Sequence, residues 1–573
     1  MRMNNIFKFT ALLAGVAMLT TGCIQETVPM NGGATMGQIE NSDFAGDGLI
    51  AAVSTILVTN NVYGADFHED FGYPTVMVTG DFNIGEVFAS NFYDGGNPMY
   101  SHFLYYNYQL TIGPNGYCGI YWNHYYKFIK IANDVLVAYG NATEGPEFET
   151  ASVARAFRAL YYLDLARYYD PLPAKATAKG KEGYEAELQP ILGLTVPIVD
   201  ENTTEESSKN NPRVPREEMF QFIFNDLNSA EVGLANYKPA AKNLPTLAVI
   251  YGLKARAYLW LGGFEENLYD TEKYPDVVTG NAAYKKAAEY ARLAITTSGC
   301  TPLTEQEYCD PRTGFNKANN AWMWAMLQST ETMLSQLHNW AAHMSCQAGW
   351  GYGGICQYGV RKKTYERMSN SDFRKKIIVG PNASYDDYKN VTTFTEEEWE
   401  NFGMEGTGVH TYAHMKFRTN GGEKVNAEIG AVVDIPLMRV EEMYLIEAEA
   451  TAHFDSSKGK QLTEAFMAYR DPKYSFPVTA STTDEIVEEI IFQKRCELWG
   501  EGVLFFDFKR LDMGIENGYE GTNTPNGQDF QTEGRCPSWN ICIPISEMQQ
   551  NKALVGKNNP DPSATIDPMT GVN

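Results

Sequence analysis

Leu247-Ala248-Val249-Ile250-Tyr251-Gly252-Leu253-Lys254-Ala255-Arg256-Ala257-Tyr258-Leu259-Trp260-Leu261 and, after a polar stretch, Ala282-Ala283-Tyr284-Lys285-Lys286-Ala287-Ala288-Glu289-Tyr290-Ala291-Arg292-Leu293-Ala294-Ile295 decide the fold class. Apolar residues recur in both at three- and four-residue steps, so each forms a helix with one face to bury. In the second, Ala287, Ala288, Ala291 and Ala294 share that face with Tyr284, and such small side chains let two antiparallel helices approach closely, as in tetratricopeptide repeats. The same periodicity runs through Met219, Phe220, Ile223, Leu227, Ala230 and Leu234, and through Phe157, Leu160, Tyr161 and Leu165. Further stripes cover residues 437–454, 462–469 and 486–504. The expected fold is mainly α: tetratricopeptide-like helical hairpin repeats, three or four pairs, with long loop insertions at residues 170–216 and 263–281. A few short β-hairpins are expected at residues 195–199 and 431–436. A stack of hairpins buries one continuous core, so the insertions collect outside it and become the expected ligand-bearing surfaces.

The N-terminus carries a second decisive pattern. Arg2 and Lys8 precede an eleven-residue apolar run from Phe9 to Leu19, which leads into Thr20-Thr21-Gly22-Cys23. A charged start, a short apolar middle and small residues before a cysteine describe a lipoprotein export signal, and the run is far below the roughly 20 residues a spanning helix needs. Thr20 stands where such signals usually carry Leu. Residues 1–22 are thus expected to be a signal peptide, with Cys23 the acylated first residue. Residues 23–48, polar and Gly-rich, are expected to be a lipid-anchored linker, and residues 49–573 a single helical repeat domain. Each buried CH₂ of an acyl chain contributes about 0.8 kcal/mol, so two or more chains hold the protein on a membrane through lipid alone.

Composition narrows the ligand class. A formal charge of −25 over 573 residues argues against nucleic acid and against an electrostatic grip on anionic lipid, both of which need a basic face. Aromatics make up 13% of the chain, compatible with stacking surfaces as well as with a large core. Eight cysteines remain after Cys23, none in a CxxC spacing. Cys300 with Cys309, and Cys346 with Cys356, are candidate local disulfides, with buried free thiols as the alternative. His410 and His414 could share a helix face, but no HExxH surrounds them, and no metal or cofactor is expected.

Several ordered blocks carry a family resemblance. They are Asp70-Phe71-Gly72-Tyr73-Pro74 with Asp81; Trp122 with Tyr126, Ile129, Ala132 and Asn133; Arg155-Ala156-Phe157-Arg158-Ala159-Leu160-Tyr161-Tyr162; and Asp226-Leu227 with Ala230. Later come Arg439-Val440-Glu441-Glu442-Met443-Tyr444-Leu445-Ile446-Glu447-Ala448-Glu449-Ala450, Lys494-Arg495-Cys496-Glu497-Leu498-Trp499-Gly500-Glu501-Gly502 running into Phe506-Asp507-Phe508-Lys509-Arg510, and Ile543-Pro544-Ile545-Ser546-Glu547-Met548 with Asn551. In this order they resemble the SusD/RagB family of outer-membrane nutrient-binding lipoproteins over nearly the whole chain. The resemblance implies a glycan-binding lipoprotein on the surface of a Bacteroidetes-type outer membrane. It would bind an oligosaccharide or polysaccharide and pass it to a SusC-type TonB-dependent barrel transporter, which it covers as a lid. A minority of the family handles peptides, which keeps a peptide ligand as the alternative.

Most block residues read as scaffold. In the 439–450 block, Met443, Leu445, Ile446 and Ala450 can bury, while Glu441, Glu442 and Glu449 face water or pair with arginines. Glu497 near Arg495, and Asp507 near Arg510, read as structural ion pairs. Trp322 and Trp324 read as core. The ligand site needs exposed rings for the C–H face of a sugar and amides or charged groups for its hydroxyls. Two glycine-rich stretches combine these. Residues 92–100 hold Tyr93 and Tyr100 around a Gly-Pro turn, and residues 338–358 hold Trp340, Trp350 and Tyr352 among several glycines. Tyr93, Tyr100, Trp340, Trp350 and Tyr352 are therefore the expected ligand-binding residues, and no catalytic residue is expected. A helical glycoside hydrolase, the competing class, needs two carboxylates about 5–10 Å apart across a cleft, whereas Glu447 and Glu449 at i, i+2 point to different helix faces.

Overall fold

The computed structural model describes residues 45–59, 71–89, 117–174, 181–330, 339–350, 357–402, 408–524 and 531–561. Cys23, most of the 23–48 linker, Tyr93, Tyr100, Tyr352 and Cys356 lie outside them. By internal contacts the chain divides into Met1–Leu49, of which only residues 45–49 are described, and a unit from Ile50 to Asn573 that holds every element discussed below.

The fold is mainly α, as the periodicity predicts. We label the longer helices α1 (Tyr73–Asn83), α2 (Tyr117–Tyr139), α3 (Gly145–Tyr169), α4 (Arg216–Gly233), α5 (Leu247–Gly262), α6 (Asn281–Ser298), α7 (Val440–Phe454), α8 (Ser456–Met467), α9 (Thr483–Glu497) and α10 (Leu504–Arg510). From α2 to α7 each of these packs on the next in chain order, and α8 and α9 both pack on α7. This gives the stacked tetratricopeptide-like arrangement. The alanine face of α6 is buried as expected, and the reason it can sit close to α5 is Gly262, where a Cβ would lie 2.5 Å from the Tyr284 ring.

α3 departs from a simple stripe. Nearly every residue from Thr150 to Tyr169 is buried, because α2 and α4 both pack on it and α10 contributes Phe505 and Phe506 against Tyr168. The charges it buries are paired: Arg158 with Asp226 at 2.7 Å and Glu201 at 2.5 Å, and Arg167 with Asp164 at 2.5 Å.

A long insertion between α6 and α7 holds β2 (Trp322–Met326), and the strand leading into α7 is β4 (Ile435–Arg439). These two pair antiparallel, with Trp322 opposite Arg439 and Met326 opposite Ile435. The hairpin expected at residues 431–436 is therefore a long-range ladder closing the insertion, and residues 437–439 belong to a strand rather than to the helix the periodicity extended into them. Trp322 and Trp324 are fully buried, as expected. Around Thr195 the chain does return on itself, Thr195 N–H donating to Val214 O at 2.8 Å. The 486–504 stripe is two helices, α9 and α10, separated by a turn containing Gly500 and Gly502.

That turn meets a buried network of charge. The Glu497 carboxylate, fully buried at the end of α9, accepts from Arg470 at 2.7 and 3.0 Å, Arg439 at 3.1 Å and Arg374 at 3.3 Å. Arg439 also pairs with Glu441 and Glu501, Arg470 with Glu441, Lys416 with Glu501, and Arg374 with Asp372. Four cations thus meet four carboxylates. Burial would raise the Glu497 carboxyl, yet Arg470 and Arg439 hold it well below the usual carboxylate range. Arg495, the partner expected from sequence proximity, instead pairs with Glu86 at 3.0 Å. A second buried cluster joins α7, α9 and α10: Glu449 pairs with Lys494 and Arg510, and Asp507 with Lys494 at 3.0 Å and Arg510 at 2.9 Å. Glu441, Glu442 and Glu449 are all buried and paired, so the water-facing alternative for them is overturned.

Gly502 adopts φ +75°, and a Cβ there would lie 2.4 Å from Met77 Cα, so α1 rests directly on the turn. The Gly502 N–H donates to Asp81 of α1 at 3.0 Å. Burial pushes the Asp81 carboxyl up to about 7 despite that bond.

Two predictions follow from these buried charges. Glu497→Gln leaves three guanidinium groups short of countercharge, and we expect a loss of about 3–5 kcal/mol in urea unfolding; a loss below 1 kcal/mol would contradict the network's role. Folded Asp81 keeps its proton to about pH 7, whereas the unfolded chain releases it near 3.8, so the folded state holds the extra proton and stability falls as pH rises through that window. Asp81→Asn cannot ionise, so its stability relative to the parent should improve by up to about 4 kcal/mol between roughly pH 4 and pH 8. A pH-independent difference in urea midpoint would refute this.

Candidate functional site

α1 runs through Glu86 into β1 (Phe88–Ala89), which pairs antiparallel with β3 (Tyr358–Gly359), Phe88 opposite Gly359 and Ala89 opposite Tyr358. The ladder continues by isolated bridges, Gly359 to Ala413 and His414 to Ile378. The stretch with Tyr93 and Tyr100 follows β1 in the chain, and the one with Trp350 and Tyr352 precedes β3. The structure therefore brings together the roots of the two stretches that the sequence reading selected, although 270 positions separate Phe88 from Tyr358.

This root is heavily braced. Glu86, just before β1, pairs with Arg361, just after β3, and with Arg495 of α9. The Trp499 indole donates to Glu86 O at 2.9 Å, and the Tyr358 ring meets Phe82 edge-on at 5.2 Å. The Gln357 amide donates to Gly408 O at 3.1 Å and accepts from His410 N–H at 2.9 Å. His414 stacks on Trp499 at 4.2 Å, and burial, with Lys416 and Arg418 nearby, holds its imidazole well below its usual range. His410 and His414 thus serve the ladder and share no helix. Two residues on, Lys416 enters the Glu497 network through Glu501 at 2.5 Å.

Two of the expected ligand rings are described, and both are interior. Trp340, 1% exposed, meets Phe417 edge-on at 4.9 Å. Trp350, 8% exposed, lies against Gly430, where a Cβ would sit 2.3 Å from the indole. The exposure inferred from the surrounding glycines is corrected for both: Gly430 makes room for one ring, and Phe417 covers the other. Tyr93, Tyr100 and Tyr352 lie outside the described residues. Cys300 and Cys309 are separate free thiols, so the free-thiol alternative holds for that candidate pair, and Cys346 is a buried free thiol.

Sequence reasoning missed two open clefts among the described residues. One, of about 510 Å³, lies between the loop after α4 and the end of α6. The other, of about 530 Å³, lies beside Trp122 and Tyr126 of α2. The only sequence signal for the second was an aromatic pair at i, i+4 flanked by Asn123 and Lys127, within a block read as scaffold.

The SusD family model matches residues 361–561, a span that contains Arg374, Lys416, Arg439, Glu441, Arg470, Glu497 and Glu501. Over that span the chain matches the SusD family. Solved structures of SusD-like proteins share the fold over most of the chain. A SusD-like carbohydrate binding protein from Bacteroides vulgatus is 20% identical with a TM-score of 0.64, over 89% of this chain and 96% of that one. A SusD superfamily protein from Bacteroides thetaiotaomicron is 16% identical with a TM-score of 0.63, over 92% and 100%. A SusD-like protein from Bacteroides fragilis is 15% identical with a TM-score of 0.63, over 90% and 96%. No curated protein matches this chain in sequence. No described helix is long and apolar enough to cross a membrane.

Because its ring is interior, Trp340→Ala is expected to cost about 3–5 kcal/mol and lower the melting temperature by several degrees. An unchanged melt with lost ligand binding would return Trp340 to the ligand surface.

Proposed function

We propose that this protein is a cell-surface glycan-binding lipoprotein, held on the outer membrane by acyl chains on Cys23, that captures oligosaccharides without cleaving them. It delivers them to a TonB-dependent barrel transporter of the SusC type. The observation that carries the reading is the β1–β3 ladder: it roots two aromatic- and glycine-rich stretches side by side on a braced base, within a family fold shared with a SusD-like carbohydrate binding protein. Rings and amides on such stretches can cover the apolar face of a sugar and bond its hydroxyls, while the base stays fixed. Tyr93, Tyr100 and Tyr352 are the residues we assign to that task. Binding without catalysis fits the roles of the strongest carboxylate sites. Glu449 and Glu497 are each locked by two or more cations, which leaves neither free to give or take a proton.

Native gels cast with separate polysaccharides test the reading: the protein should be retarded by at least one of them, and no reducing ends should accumulate on incubation. Retardation by none, with binding to peptides instead, would replace the ligand class, and steady release of reducing sugar would make it an enzyme. Cys23→Ser should shift the protein from the membrane fraction to the soluble fraction, and continued sedimentation with membranes would remove the anchor.

A further inference from the structure

The cleft beside α2 is built by three distant parts of the chain: α2 itself, the turn following Pro197, and the C-terminal helix Ile545–Gln550. Its walls are bolted together. The Tyr126 hydroxyl donates to Pro197 O at 2.7 Å, and the Asn133 amide to Val199 O at 3.0 Å. Asn211 N–H donates to the Asn551 side chain at 3.0 Å, whose own amide returns a bond to Asn211 O at 2.7 Å. Lys552 N–H donates to Lys209 O at 2.9 Å. The shape therefore exists before any ligand arrives, which removes an ordering cost from binding.

The lining chemistry is specific. Asn123, Gln550, Ser208 and Ser546 are amides and hydroxyls that both donate and accept, the match for a sugar hydroxyl. The half-buried Glu547 carboxyl adds an acceptor; burial raises it although the Asn551 and Trp122 side chains bond to it. Tyr126, partly exposed, supplies apolar surface and is backed by the buried Trp122, their ring centroids 4.6 Å apart. The charges of the lining balance, Lys127 and Lys209 against Glu205 and Glu547, with Lys209 paired to Glu205 at 3.1 Å and Glu206 at 3.3 Å, which suits a neutral ligand. At about 530 Å³ the cleft falls within the range of small-molecule sites.

We propose that this cleft is a second carbohydrate-binding site, taking a short neutral oligosaccharide segment independently of the stretches rooted on the β1–β3 ladder. It rests on the glycan-binding reading, and its test separates the two. Titration calorimetry of the full chain with maltotriose, cellotriose and xylotriose is compared between the parent, the double variant Asn123→Ala/Gln550→Ala, and the filling variant Ser546→Trp. All the changed residues are exposed, so the melts should be unchanged. At least one trisaccharide should bind the parent, and each variant should weaken it about tenfold or more, while retardation in polysaccharide gels persists. Trisaccharide binding that survives both variants, or that is missing from the parent, overturns the second site whatever the gels show. Failure of the gels alone bears on the ladder site and leaves the cleft result standing.

Discussion

Glu497 sits in the interior with three guanidinium groups around it, and much of the architecture around the insertion follows from the need to keep that charge neutralised. A carboxylate out of water is tolerated only when nearby cations and hydrogen bonds replace its hydration, and leaving any partner unmatched costs several kcal/mol. Here the partners come from separate pieces of chain: Arg374 from inside the long insertion, Arg439 from the end of β4, Arg470 from just after α8. Meeting at one carboxylate fixes the register of all three segments at once. A slip of one residue in any of them would bury an unpaired charge, which is a sharper penalty than a misplaced methyl group.

The same network reaches the β1–β3 ladder. Lys416 bonds Glu501 in the network, and His414, two residues earlier, lies on the ladder that continues to Tyr358 and β1. On the other strand, Glu86 is held by Arg361 and Arg495, and Asp81 receives the N–H of Gly502. The helical stack thus supplies a base, the ion pairs fasten the insertion to it, and the ladder emerges from that fastening.

Much of the fold was legible because periodicity reports which face of a segment is buried. The alanine face of α6 and the apolar face of α4 were read residue by residue. Periodicity does not report the partner. Residues 431–436 looked like half of a local hairpin because they are apolar and short, yet β4 pairs with a strand more than a hundred positions earlier. Glu497 was matched to Arg495 by proximity in sequence, although helical geometry turns side chains two apart to different faces. Trp340 and Trp350 were read as exposed from their glycines, but Gly430 serves as the seat of an indole. The α2 cleft was hidden for the same reason, since two of its three walls are remote in sequence.

By itself the sequence determined that the chain is a stack of amphipathic and buried helices, that its blocks resemble those of the SusD/RagB family, and that two aromatic, glycine-rich stretches differ in character from the scaffold. These are local properties: spacing, composition and order along the chain. Tertiary structure alone decided which charges neutralise one another, which rings are covered, and that the roots of the two stretches lie side by side. Those outcomes depend on contacts between residues far apart in sequence, where burial makes each unpaired charge too costly to leave and so selects one arrangement among many.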